Sequence, residues 1–381
     1  MSKIGIFSGF YLPHLGGVER YTDKLSAALV KLGHEVVIVA ANHDAAALPG
    51  VELMGKRTIY RLPIRSFAKS RYPIPHKNKE YQSLLKQIEQ EHIDYFIVNT
   101  RFYLTSHIGA KLGELAGRPV FLIEHGTDHF SVNNRWLDYF GKLYEHLLAS
   151  SIKNKITGYY GVSKKCNEWL KHFGITASGV FYNAIDPADE MQVKDLYKKR
   201  YPSNEVVVSF AGRLIREKGI LNLLAAFEDV RQKHPELPLK LAIAGDGELF
   251  EQIKRDYQDS ALDLLGRLDF AHVMALYKRT DIFVNPSQYP EGLPTSILEA
   301  GLMSCAVIAT PKGGTEEVIT DGQHGIISDG SVKSLSEAIA FLATNPTKRH
   351  MYARAIKKRV TTVFNWDKTA NAVDQAIKDS K

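Results

Sequence analysis

Cysteine is nearly absent: Cys166 and Cys305 are the only two among 381 residues, far apart and outside any Cys-x-x-Cys or Cys/His spacing. That excludes a disulfide framework, gives no sign of a zinc site, and fits a reducing compartment. Long apolar runs are missing as well. The first strand-like run, residues 3–9, soon meets Tyr11, Pro13 and His14, which is too short for a signal peptide or a membrane span. The expectation is a cytoplasmic, non-spanning chain. No Gly-x-Gly-x-x-Gly follows the first strand, so a dinucleotide oxidoreductase loses its main support. No Asp-x-Asp follows a strand, and no His, Asp or Glu cluster has metal-ligand spacing, so no metal is expected and activity should persist without a divalent ion. There is no low-complexity tract or short repeat, and 44% apolar with 24% charged residues is ordinary for a globular protein.

What is present begins with length. A chain of 381 residues is long enough for two domains, each burying its own core. In the first half, apolar runs at 3–9, 35–40, 94–98, 119–123 and 157–162 alternate with amphipathic stretches, as at 17–31, where Val18, Tyr21, Leu25, Ala28 and Leu29 recur at helical period. The alternation starts over at 205–211, 239–244, 262–264, 281–285 and 306–309. This predicts an α/β chain with two parallel sheets covered by helices. A polar stretch at 187–203 separates the halves, giving expected domains at 1–188 and 189–362 with a closing segment at 363–381. Open α/β sheets bind ligands beyond the carboxyl ends of their strands. The loops after Gly9, Ile123, Ala211, Gly245 and Asn285 are therefore the places to look for chemistry.

Gly16-Gly17 opens the first helix and leaves room for a phosphate or a sugar hydroxyl, although a structural turn explains the pair equally well. After Ala211 come Gly212, Arg213 and, at the far end of the loop, Lys218. A forked and a point-like cation suit a diphosphate leaving group where no metal supplies charge. The most specific stretch is residues 290–301, with Glu291 and Glu299 separated by seven residues. Pro294 suits a first helical turn, and Leu293, Thr295 and Ser296 are expected to present N–H groups to an anion. Thr295 and Glu299, four apart, share a helix face, so Glu299 can accept ribose hydroxyls while Glu291 reaches a sugar.

These motifs, with Glu124-His125-Gly126, Asn183, Gly245-Asp246-Gly247-Glu248 and Phe364-Asn365-Trp366-Asp367, stand in an order that resembles the retaining GT-B glycosyltransferases of the large family 4 type, which includes bacterial cell-surface polysaccharide enzymes. The resemblance covers nearly the whole chain. It implies two Rossmann-like domains around a cleft, with a last helix returning to the first domain. By the same resemblance, Arg213 and Lys218 bind the donor diphosphate, Glu299 the ribose, Glu291 the donor sugar, and His125 lies beside sugar and phosphate. Gly266-Arg267-Leu268 occupies the place where backbone groups receive the base. The leaving phosphate itself would take the acceptor's proton, with retention at the anomeric carbon. Asn183 is followed by Ala184 where such chains more commonly have glycine, which argues against a role needing positive φ there. No cofactor is implied; a nucleotide diphosphate sugar, uridine-linked by preference, is the co-substrate. A nucleotide-sugar epimerase, a phosphorylase and a non-catalytic sugar-nucleotide-binding partner stay open as alternatives.

The net charge of +7 is concentrated between Lys56 and Lys79, where eight basic residues stand without an acidic one, interleaved with Ile59, Tyr60, Leu62, Ile64, Phe67 and Tyr72. A solvated loop explains this as well as an anionic membrane surface or a lipid-pyrophosphate-linked glycan acceptor, each base near such a surface contributing about 1 kcal/mol. No reader motif accompanies the charge, so nucleic acid is not expected as a partner. Together these features suggest a peripheral place at the inner membrane face.

Overall fold

The computed structural model describes residues 1–14, 16–67, 72–129 and 135–380. Two compact units emerge: Met1–Asn183 together with Trp366–Lys381, and Ala184–Asn365.

The first unit holds a nine-stranded sheet. Seven neighbouring strands run parallel in the order Arg57–Phe67, Glu35–Asn42, Lys3–Phe7, Tyr95–Asn99, Val120–Glu124, Gly158–Gly161, Gly179–Val180, with Val51–Met54 and Tyr72–Pro75 antiparallel against Arg57–Phe67. Ile4, Ile6, Val37, Val39, Ile97, Leu122 and Ile123 are buried, and such continuous apolar strands are what a sheet covered on both faces requires. Helix Trp366–Asp379 packs beside helix Gly17–Lys31 through buried Trp366, Ala370, Val373 and Ile377. Tyr21 meets the Trp366 ring at 5.2 Å, the Thr369 hydroxyl donates to the Tyr182 carbonyl at 2.9 Å, and His34 reaches Asp374 at 3.2 Å. At about 1.5–3 kcal/mol for each fully buried large apolar side chain, that contact is a large part of the unit's core.

The described part of the segment from Lys56 to Lys79 is mostly strand, Arg57–Phe67 and Tyr72–Pro75, with Ile59, Tyr60 and Leu62 in the core. Arg57 pairs with Asp23 at 2.7 Å, and buried Arg61 pairs with Glu52 at 2.7 Å while donating to the Leu12 carbonyl. Lys56, Arg65, Lys77 and Lys79 stay exposed, while Lys69 and Arg71 lie outside the described residues. Two of the six described charges of the basic run, Arg57 and Arg61, are thus paired within the fold. The large exposed apolar face lies elsewhere, on helix Arg135–Ile152, where Trp136, Tyr139, Phe140, Leu143 and Leu147 repeat at helical spacing and are each more than half exposed. Among the described residues no helix is long and apolar enough to cross a membrane.

The second unit is a six-stranded, all-parallel sheet in the order Leu262–Gly266, Leu239–Ala244, Val206–Ala211, Ile282–Asn285, Ala306–Ala309, Ile326–Ile327. Its first strand in sequence lies beside its fourth. The chain therefore winds away in opposite directions on either side of that pair, and the carboxyl ends of Val206–Ala211 and Ile282–Asn285 flank the topological switch point where such sheets bind ligands.

Candidate functional site

In the second unit the switch point brings together the two loops that the sequence singled out. Residues 212–219 and 286–294 follow the two flanking strands and are bonded to each other, Gln288 N–H donating to the Glu217 carbonyl at 2.7 Å. Gly219 makes this possible. Its φ is +71°, and a Cβ there would stand 2.2 Å from the Pro286 carbonyl oxygen. Gly313 does the same from the other side, at φ +56°, with a Cβ position 1.9 Å from the Glu291 carbonyl oxygen. Only glycine fits either place.

Between these loops the Lys218 ammonium donates to the Glu291 carboxylate, whose Oε1 also accepts from the Ser287 hydroxyl at 3.1 Å. The Tyr289 ring lies beside both cations, with the Arg213 guanidinium 5.1 Å and the Lys218 ammonium 5.2 Å from its centroid. Arg213, Lys218 and Glu291 are thus one cluster, in which Arg213 is exposed and the ion pair half-buried. Tyr289 was not singled out from the sequence; its signal was its place one residue before the Pro290-Glu291 turn. Gly212 donates its N–H to Ala244 O at 3.0 Å, which anchors the start of the loop.

Helix Thr295–Leu302 starts directly after this turn, with Pro294 in extended conformation just before the first turn rather than within it. Leu293 is buried beneath it and Glu299 is buried one turn in. A carboxylate there shares the helix face of Thr295, one turn beyond the helix start. Arg267 is not part of the group. It is exposed after Leu262–Gly266, the edge strand two places from Val206–Ala211.

In the first unit the switch point lies between Lys3–Phe7 and Tyr95–Asn99. Here the helix entrance behaves differently from the expectation. Gly16 is the N-cap of Gly17–Lys31, but the Glu19 carboxylate folds over it, its Oε2 lying 2.2 Å from where a Gly16 Cβ would be, and its Oε1 pairs with His14 Nδ1 at 2.8 Å. The carboxylate of the helix itself thus places negative charge beside its entrance, so this end suits a hydroxyl better than a phosphate. Gly17 has open space around its Cβ position.

His125 follows strand Val120–Glu124. Its Nε2 lies 2.9 Å from Asn99 Oδ1, and the Asn99 amide in turn donates to Thr22 at 2.9 Å. Burial pushes the imidazole down to about 3, so it is neutral at pH 7, with Nε2–H donating to Asn99 and Nδ1 left as an acceptor. A neutral acceptor suits a hydroxyl, not a phosphate.

The His125 loop is held from behind by Glu124 of the same motif and by Arg101 and Glu145, which the sequence did not single out. Glu124 is fully buried, and its Oε1 accepts from the N–H groups of His125 at 3.1 Å and Gly126 at 3.2 Å. Its Oε2 pairs with Arg101 at 2.7 Å, and Arg101, itself fully buried, pairs at 2.6 Å with Glu145. Thr100, just before it, is held at φ +65°, a conformation a β-branched residue rarely adopts. His129 Nδ1 meets Glu145 at 3.1 Å, and burial with Arg101 nearby holds this ring down to about 4. Asn183 is buried at the end of this unit, its N–H on Val162 O at 3.3 Å, and Ala184 is not among the residues of positive φ.

Comparison with known proteins agrees with this division. A model of "Glycosyltransferase Family 4" matches residues 15–189, and one of "Glycosyl transferases group 1" matches 193–359. An uncharacterised glycosyltransferase of Methanocaldococcus jannaschii is 26% identical over 96% of both chains. Glycogen synthase of Mycobacterium tuberculosis is 24% identical over 96% of this chain and 92% of its own. Among solved structures, Anabaena HepE in complex with UDP-glucose superimposes with a TM-score of 0.75 over the full length of both chains at 18% identity. Sucrose-phosphate synthase of Thermosynechococcus elongatus does so with 0.75 at 17% identity, over 100% of this chain and 99% of that one.

Proposed function

The chain belongs to the GT-B glycosyltransferases of the family 4 type, and from that premise we propose that it is a metal-independent, retaining hexosyl- or N-acetylhexosaminyltransferase using a nucleotide diphosphate sugar. The observation that carries this reading is the cluster of Arg213, Lys218 and Glu291 at the switch point of the second unit. Arg213 and Lys218 take the donor diphosphate, with the amino end of helix Thr295–Leu302 as a further positive pole. Glu299 accepts the ribose hydroxyls. Glu291, which holds Lys218 in place, binds the hydroxyls of the transferred sugar, and the neutral His125 accepts from a sugar hydroxyl through Nδ1. The anomeric carbon–phosphate oxygen bond breaks as the acceptor oxygen bonds to the same face of that carbon. The acceptor's proton passes to the leaving phosphate, so configuration is retained. A uridine donor is preferred, and the presence of UDP-glucose in the HepE complex supports it.

Thermal unfolding with a panel of nucleotide sugars, EDTA present throughout, tests the donor reading. A ligand at a hundred times its dissociation constant stabilises by about 2.7 kcal/mol. One UDP-sugar is expected to raise the midpoint by several degrees with EDTA present; a flat response to every sugar nucleotide, or a shift that needs magnesium or manganese, refutes it.

For the acceptor we propose a lipid-linked glycan of cell-surface polysaccharide synthesis, reached at an anionic membrane face. The exposed Trp136, Tyr139, Phe140, Leu143 and Leu147, with exposed Lys142 among them, support this better than the strand Arg57–Phe67. Phe140→Glu combined with Leu143→Glu is expected to weaken co-sedimentation with anionic phosphatidylglycerol vesicles at least about tenfold, since each buried apolar side chain contributes about 1.5–3 kcal/mol. Equal binding by the variant removes this face from the proposal.

A further inference from the structure

We propose that His129, His146 and His172 form a binding site for a divalent transition-metal ion, zinc in the first instance, tying the loop after Val120–Glu124 to helix Arg135–Ile152 and the turn Lys171–Phe173. The three residues lie 17 and 26 positions apart in sequence, so no spacing signalled them. The fold gathers them so that one ligand nitrogen from each lies within 4.8 Å of the others. A tetrahedral zinc ion with Zn–N bonds of about 2.0–2.1 Å holds its nitrogens roughly 3.3 Å apart. His146 Nε2 and His172 Nε2 already stand at 3.1 Å. Imidazole sets of this kind suit zinc, copper or nickel, and the lack of an oxygen-rich shell disfavours calcium and magnesium.

The surroundings are those of a metal ligand set. His129 Nδ1 is engaged by Glu145 at 3.1 Å, which leaves Nε2 as the coordinating atom and reproduces the carboxylate–histidine arrangement that orients ligands in such sites. Glu145 is itself fixed by Arg101 at 2.6 Å. The His172 ring stacks on Trp169 with centroids 4.7 Å apart and planes 8° from parallel. A hydrogen bond between His146 and His172 would account for two of the rings, but not for the third held beside them by its own carboxylate. Three ligands leave a fourth position, which water can reach because His172 is exposed. The ion acts as a staple four residues from His125. It takes no part in the transfer proposed above and does not rest on it.

The test uses the whole chain without a histidine tag, stripped with EDTA and then dialysed. Calorimetric titration with zinc chloride is expected to show one ion bound per chain. Cobalt(II) should give the visible absorption of a tetrahedral site, lost when zinc is added, and zinc should raise the melting midpoint. His172→Ala, at the exposed edge, and His146→Ala should each weaken zinc binding by at least about a hundredfold, and Glu145→Gln by about 10–100-fold. Failure of the parent chain to take up zinc at about 100 μM, or uptake that His172→Ala and His146→Ala leave unaltered, overturns the site. Because Glu145→Gln touches a buried ion pair, its result counts only alongside His172→Ala, which alters no buried group.

Discussion

Lys218→Ala is expected to lower kcat/KM for sugar transfer about 10²–10³-fold, the usual cost of removing one preorganised donor to a developing anion. Arg213→Ala should fall in the same range. The physical reason is that a diphosphate gains negative charge as the anomeric bond breaks, and these two cations, 5.1 and 5.2 Å from the Tyr289 ring centroid, are the ones this cluster supplies. Their effects should not add. Lys218 is bonded to Glu291, so Glu291→Gln also loosens the lysine, and a double-mutant cycle between them should show a coupling of about 0.5–3 kcal/mol. Glu291→Gln should lower turnover and weaken donor affinity together, because it removes a contact to the sugar and loosens the lysine that holds the diphosphate. Steady-state kinetics with the donor found by thermal shift decides the matter. If Lys218→Ala keeps parental kcat/KM, the assignment of the cluster to the diphosphate is wrong.

Arg101→Leu is the substitution expected to cost most in stability, about 3–5 kcal/mol, the usual effect of stripping one member from a buried ion-pair network. Arg101 is fully buried and lies between Glu124 and Glu145 at 2.7 and 2.6 Å, so its loss strands two carboxylates away from water. Its guanidinium also stacks on Phe173, 4.2 Å from the ring centroid. Combining Arg101→Leu with Glu124→Gln and Glu145→Gln should recover part of the loss by removing the stranded charge. Urea unfolding can follow this unit alone, because Trp136, Trp169 and Trp366, all the tryptophans of the chain, belong to it. A midpoint unmoved by Arg101→Leu would mean that the network is solvated in practice.

The fold class was legible because buried parallel strands are nearly continuous apolar runs; Leu239–Ala244 and Ala306–Ala309 could be bounded to the residue. The strand Arg57–Phe67 was not, since its arginines read as surface charge until Asp23, on the first helix, and Glu52, on the neighbouring antiparallel strand, are seen to neutralise Arg57 and Arg61. Strands of two residues, Gly179–Val180 and Ile326–Ile327, carry too little pattern to detect. Arg213, Lys218 and Glu291 could be read as a group because each lies in a loop after a strand end, and strand order then does the gathering. What could not be read is what depends on neighbours from elsewhere in the chain. Glu19 covering Gly16, the neutral state of His125, and the burial of Arg101 between two glutamates all arise from packing, which local spacing does not encode.

The return of helix Trp366–Asp379 to the first unit has a consequence for how the polypeptide comes to be folded at all. On the ribosome, residues 1–183 emerge with the cleft beside helix Gly17–Lys31 unfilled, and they wait for the synthesis of another 182 residues, Ala184–Asn365, before Trp366, Val373 and Ile377 arrive to fill it. At about 5–20 residues per second that wait is on the order of 10–40 seconds, long against the millisecond closing of most domains. Throughout that interval the nascent first unit exposes the apolar side of Tyr21's helix, whereas Ala184–Asn365 is contiguous and can close as soon as it is made. The later half of the message therefore completes its domain first.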